Sequence, residues 1–231
     1  MSETVTLSLP FTGRWTVRNS PARRVPSHGI DLLGQRYAID FVGVDDAGST
    51  ASAHDWRTVF GTEPAERFVS FGRPILAPTD GIVVAVHDGE PDHAARRSQL
   101  ALASYARGQA SRLRQGVWAI AGNHVIIADR GTGLFVVLVH LRHRSLRAAV
   151  GDQIGTGDQI AECGNSGNST QPHVHVQVMD SLDMAVAHGV PMVFRDFREW
   201  PRRAAMGSNA AALETGLRVP DEGSIVEPLT P

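Results

Sequence analysis

The segment "GNSGNSTQPHVHVQV", Gly164 to Val178, sets two histidines one residue apart at the head of an apolar run. On a strand, residues i and i+2 project to the same face, so His173 and His175 aim at one place while Val174 and Val176 turn away. Two protonated imidazoles side by side repel, and burying both without partners is costly; a shared metal or a shared polar substrate answers both problems. An H-x-H pair also occurs as two surface histidines on an edge strand, so the rest of the constellation decides. His140 closes the apolar run "LFVVLVH", at the mouth of the same sheet, and upstream "SHGIDLLGQRYAIDFVG" supplies His28, Asp31 and Asp40. Asp40 sits among Ala38, Ile39, Phe41 and Val42, where a carboxylate needs a partner. Two imidazoles and one carboxylate around a zinc ion, with the fourth position left to water, make a catalytic rather than a structural metal site.

The elements that must position these groups read as strands. "RYAIDFVG" (Arg36 to Gly43), "GIVVAVH" (Gly81 to His87), "NHVIIA" (Asn123 to Ala128), "LFVVLVH" (Leu134 to His140) and "HVHVQVM" (His173 to Met179) are short, β-branched and bounded by turn residues. This is an all-β signature. "DRGTG" reads as a hairpin turn that makes Asn123 to Ala128 and Leu134 to His140 antiparallel neighbours. "DHAARRSQLALASYARGQASRLRQ", about 92–115, is rich in helix formers and predicts a helical insertion between strands. Residues 206–231 show little periodicity and predict an irregular, extended C-terminal arm on a single domain spanning 1–205.

Composition narrows the chemistry. A net charge of −2 and a pI near 6.5 give no global attraction to nucleic acid or anionic lipid, so none is expected as a partner. The lone cysteine, Cys163, excludes an intrachain disulfide and a multi-cysteine zinc site, and reads as a small buried hydrophobe. No stretch approaches the roughly 20 apolar residues of a membrane span. Glu3 stands where a signal peptide has a basic region, which predicts a cytoplasmic protein. Of the remaining histidines, His54, His87, His93 and His188 read as solvated, and His124 and His143 as groove-lining at most. Trp15, Trp56, Trp118 and Trp200 read as core or cap residues.

In order and spacing, "FGRPILAPTDGIVVAVHDG", "GNHVIIADRGTGLFVVLVHLR" and "VGDQIGTGDQIAECGNSGNSTQPHVHVQV" resemble the lysostaphin or LytM-type zinc endopeptidases, over roughly Ser27 to Asp180. The resemblance implies a compact antiparallel β fold with a groove over one sheet, and a core at about 27–180. It implies His175 as a zinc ligand, with His173 and His140 handling protons and polarising the scissile carbonyl. It also implies a substrate in the peptide stems or cross-bridges of peptidoglycan, outside the cytoplasm, and a protein expected to be monomeric.

The first motif departs from the family pattern. Members carry a histidine four residues before the ligand aspartate, whereas Arg36 holds that offset from Asp40, and an arginine cannot ligate zinc. In "HGID", His28 and Asp31 are one residue too close and would face opposite sides of a strand. The preferred set is His28 reaching in from a loop, Asp40 from the strand, and His175; Asp31 as ligand, or a site without metal, are the alternatives. The expected activity is peptide-bond hydrolysis through a zinc-activated water. A noncatalytic module that binds a protein partner or wall fragment, and a zinc hydrolase acting on a non-peptide bond, are the competing readings.

Overall fold

The computed structural model describes residues 4–52, 55, 58, 61–96, 120–201 and 213–229. In chain order the strands are β1 (Val5–Ser8), β2 (Trp15–Arg18), β3 (Ile39–Gly43), β4 (Pro74–Leu76), β5 (Gly81–His87), β6 (Asn123–Asp129) and β7 (Phe135–Leu141). They continue as β8 (Gln153–Ile154), β9 (Gln159–Glu162), β10 (Val174–Met179), β11 (Met192–Arg195), β12 (Phe197–Trp200), β13 (Leu213–Thr215) and β14 (Ile225–Pro228). Ten of them form one antiparallel sheet in the order β13-β12-β14-β2-β3-β10-β7-β6-β5-β8, and the pairs β1-β11 and β4-β9 lie apart from it. The described residues are mostly β-sheet with almost no helix, as the apolar runs predict.

Alternation along the central strands separates two faces. Val174, Val176 and Val178 of β10, Ile39 and Phe41 of β3, Val136 and Leu138 of β7, and Val125 and Ile127 of β6 all enter the main core. There they pack with Phe11, Trp15 and Phe194, and the Trp15 ring stacks on Phe11 at 4.6 Å. The opposite face holds a smaller apolar cluster of Ile126, Val137, Val139, Met179 and Met184. Asp40, His173, His175 and Gln177 have the parity of this second face.

Two expectations about the strands change in detail. The strand expected from Arg36 begins at Ile39, because Gly34 turns the chain in the left-handed region (φ 72°) and Gln35–Tyr37 form a 3-10 turn. Arg36 then points outward, where it pairs with Asp31. The tail is partly regular: β13 pairs with β12, and β14 joins β12 to β2, burying Val226 against the core. The helical insertion falls almost wholly outside the described residues, and 92–96 carry only an isolated bridge from Ala95 to Glu63.

Trp15 is fully buried, as expected, and Trp200 lies under the Arg14 guanidinium; Trp56 and Trp118 fall outside the described residues. His124 is also buried rather than groove-lining. Its ring stacks on His87, and its Nδ1–H donates to the Gly122 carbonyl at 2.7 Å. Burial, helped by the neighbouring His87, lowers its imidazole to about 4 against that hydrogen bond. The native protein therefore keeps His124 neutral at pH values where the unfolded chain protonates it, so stability falls as pH drops from about 6.5 toward 4. Between pH 7 and 5, wild type should lose about 2 kcal/mol more unfolding free energy than His124→Asn in urea titrations. Parallel losses in the two proteins would contradict this origin of the acid sensitivity.

Candidate metal centre and active site

The sheet register sets Asp40 directly opposite His175 on neighbouring strands. His28 arrives from the loop between β2 and β3, and its ring lies 4.8 Å from that of His175. One ligand atom from each of His28, Asp40 and His175 falls within 4.8 Å of the other two. The stretched first motif thus closes in space over twelve residues, where the usual spacing is four.

Hydrogen bonds determine which nitrogen of each ring faces the carboxylate. The Gln177 amide donates to the Leu33 carbonyl at 2.8 Å, so its oxygen faces His175 Nε2 at 3.0 Å. His175 Nε2 therefore carries the hydrogen, and its Nδ1 turns a lone pair toward Asp40 Oδ1 at 2.9 Å. His28 follows the same logic. Ser27 Oγ donates to the Gln35 carbonyl at 3.4 Å and accepts from His28 Nδ1–H at 3.0 Å. That leaves His28 Nε2 with a lone pair 3.2 Å from Asp40 Oδ2. A neutral ring has one N–H, used here on Gln177 or Ser27, so each contact to Asp40 is a hydrogen bond when the ring carries a second proton, and a metal ion between the atoms is the other way to join them. Bonds of about 2.1 Å to a tetrahedral ion put ligand atoms about 3.4 Å apart, close to these separations. The donor set fits zinc, and both ring nitrogens pointing away from the ligand position have the partners that metal-bound histidines ordinarily have.

Asp40 is buried and ionised. Burial alone would raise its carboxyl, but the charge of His173 and hydrogen bonds with His175 and His28 hold it well below the usual carboxylate range. Asn19 adds a further donor to Asp40 Oδ2 at 2.7 Å. Asp31 is 53% exposed and committed to Arg36, so it stands outside this cluster.

His140 and His173 sit beside each other, with ring centroids 4.7 Å apart. Each donates Nδ1–H to a backbone carbonyl, His140 to Ser166 at 2.9 Å and His173 to Gln171 at 2.8 Å. Ser169 Oγ also contacts His173 Nδ1 at 3.1 Å. Both therefore present Nε2 as a base, and that of His173 lies 3.6 Å from Asp40 Oδ1. Burial, with the charges of His173 and His175, keeps the His140 imidazole well below its ordinary value and so neutral. All five residues line one cleft of about 220 Å³, walled by Leu33, Val139 and Met184 and rimmed by Asn168 and Thr170.

Among the described residues, no other histidine lines this cleft. His188 is exposed beside Asp180, His93 contacts the Gly167 carbonyl at 2.9 Å, and His54 falls outside the described residues. The glycines of "GNSGNST" serve the protein's own packing: a side chain on Gly167 would meet the Gly122 nitrogen at 2.5 Å, and one on Gly164 would meet the Arg142 backbone at 2.4 Å. Cys163 is buried and its thiol is pushed up by that burial, as expected of an inert hydrophobe.

The sequence reading missed Asn19, Ser27, Ser169 and Gln177. Gln177 was within reach, since it continues the i, i+2 parity of His173 and His175. Asn19 carries no local signal, because only tertiary folding brings it to Asp40, and Ser27 acts on the ring of its chain neighbour His28.

The sequence profile described as "Peptidase family M23" matches residues 66–187, just over half of the chain. The matched span contains His140, His173 and His175 but starts after His28 and Asp40. Among solved structures, the chain is similar to the catalytic domain of a mutant of the prophage-encoded M23 protein EnpA from Enterococcus faecalis: 19% identity, 67% of this chain, 73% of that chain, TM-score 0.38. It is similar also to the catalytic domain of lysostaphin from Staphylococcus simulans, at 16% identity over 77% of this chain and 88% of that one, TM-score 0.39. A zinc-containing peptidase from Vibrio cholerae matches at 16% identity over 75% of this chain and 47% of that one, TM-score 0.33.

The orientation of His175 by Gln177 makes a quantitative expectation. Metal-free protein titrated with Zn2+ against a chromophoric chelator should bind one equivalent, and Gln177→Leu should bind it about 10–100-fold more weakly. Equal affinities would show that the amide does not orient the ring.

Proposed function

The chain belongs to peptidase family M23, a family of metallopeptidases, and on that premise we propose that it is a zinc-dependent endopeptidase acting on the peptide stems or cross-bridges of peptidoglycan. In this reading His28 Nε2, an Asp40 oxygen and His175 Nδ1 hold the metal, and His140 and His173 handle protons. The observation that carries it is the convergence of His28 Nε2 and His175 Nδ1 on the buried Asp40 carboxylate, at 3.2 and 2.9 Å, while Ser27 and Gln177 hold the opposite nitrogen of each ring.

Zinc bound there supplies a Lewis acid that polarises a carbonyl and acidifies a water. The rest falls to the chain's own groups. A peptide laid along the cleft meets apolar walls at Leu33, Val139 and Met184 and polar groups at Asn168 and Thr170. His173 and His140, each with Nδ1–H held by a backbone carbonyl and Nε2 turned to the cleft, can accept a proton from the attacking water at Nε2 and then donate it to the leaving amine. As imidazolium, either ring also stabilises negative charge on the carbonyl oxygen. The fixed Nδ1–H bonds to Ser166 and Gln171 keep each ring in the tautomer this exchange needs. Among the described residues no helix is long and apolar enough to cross a membrane.

The division of labour separates variants by two readouts. His140→Ala and His173→Ala should retain bound zinc, and each should lower kcat about 10²–10⁴-fold on pentaglycine or muropeptide substrates followed by mass spectrometry. His175→Ala should lose both metal and activity. A His140 or His173 variant that cleaves at the wild-type rate would remove that residue from the mechanism, and a zinc-loaded wild type that cleaves no peptide would overturn the proposed activity.

A further inference from the structure

The parity of β7 should send the His140 side chain the wrong way. Val136 and Leu138 enter the main core, so His140, two residues on, should follow them into apolar surroundings. Instead the register with β6 slips: Asn123 pairs with Leu141 and His124 with Val139, which leaves His140 as an extra residue. Its backbone is in the left-handed region (φ 64°), which a non-glycine side chain adopts only when its surroundings impose it. Leu141 then returns to the core. The bulge is therefore what converts a core-facing position into a cleft-facing one.

We propose that Asn123 and Ser166 are the positioning residues that impose this bulge, and through it the placement and tautomer of His140. Both are fully buried. Both donate to the same acceptor, the Leu141 carbonyl: Asn123 Nδ2 at 3.1 Å and Ser166 Oγ at 2.8 Å. The Asn123 N–H donates in turn to Ser166 Oγ at 3.0 Å, which ties the two together. The remaining groups of the Asn123 amide are held by Glu90, whose N–H donates to Oδ1 at 2.8 Å and whose carbonyl accepts from Nδ2 at 2.7 Å. On the other side of the bulge, the Ser166 carbonyl accepts His140 Nδ1–H, and the His140 carbonyl accepts the Gly164 N–H at 3.1 Å. Two buried side chains thus fasten the carbonyl just after the bulge, and the loop that carries one of them fastens the ring itself. A network in which every member is satisfied specifies one geometry, whereas removing a member leaves a buried donor or acceptor without its partner.

The proposal rests on the reading of His140 as a proton-handling group, and the test keeps the two apart. Uniformly ¹⁵N-labelled protein is compared as wild type, Ser166→Ala and Asn123→Ala, with His140→Gln identifying the His140 imidazole resonances. Wild type should show His140 locked as the Nδ1–H tautomer. Both variants should show its two nitrogen shifts averaging, with zinc content and KM for a muropeptide unchanged and kcat at least tenfold lower. Variants that keep the locked tautomer and the wild-type kcat would overturn the proposal. If Asn123→Ala does not fold, the gentler Ser166→Ala and the wild-type spectrum decide, because a wild-type His140 in the Nε2–H form or in tautomer exchange also overturns it. A wild type with no peptidase activity would sink the functional reading, while the tautomer comparison would still judge the role of Asn123 and Ser166.

Discussion

A buried carboxylate onto which two imidazoles each turn a nitrogen depends on positive charge between them, a proton or a metal ion, and the surroundings of Asp40 hold the three groups in place. Burial resists its charge, and the imidazoles and the Asn19 amide restore it. Gln177 and Ser27 stop His175 and His28 from turning their N–H groups inward to relieve the conflict. The result is a site whose unmet need is for positive charge, with two ring nitrogens and a carboxylate oxygen already aimed at it. The pairing of β3 with β10 and the loop between β2 and β3 bring those three groups, from separate parts of the chain, to one point.

The antiparallel sheet supplies most of that positioning through simple alternation. One face of β3 and β10 is apolar and fixes the strands on the main core, so Asp40, His173, His175 and Gln177 must emerge on the other. Alternation alone does not deliver His140. The fold departs from its own period there, through an extra residue and a left-handed backbone, and a buried asparagine and serine stand at the point of departure. Local rules fail at the position where the cleft needs an additional group, which is the kind of place where strain in a native structure serves function.

What could be read from sequence follows the same division. The period-2 runs located β5, β6, β7 and β10 within a residue at each end, and the "DRGTG" turn paired β6 with β7, because these signals are local. The common face of His173 and His175 was legible for the same reason. His28 with Asp40 was preferred by resemblance and not by any local signal, because the closure depends on a loop folded by Gly34 and the turn at Gln35–Tyr37. Asp31 remained a rival until its pairing with Arg36 placed it outside. The strands at 213–215 and 225–228 carry too little periodicity of their own; they form because β2 and β12 offer edges to complete.

The central claim is that His28, Asp40 and His175 together hold one zinc ion, and X-ray absorption at the zinc edge tests it most directly. On protein loaded with one equivalent, the account predicts about four nitrogen or oxygen neighbours at about 2.0–2.1 Å, with the multiple-scattering signature of two imidazoles and none from sulfur. Imidazole scattering should drop to one ring in His28→Ala. A spectrum in which that variant keeps both imidazoles, or in which the wild-type ion is ringed by water oxygens alone, would contradict it.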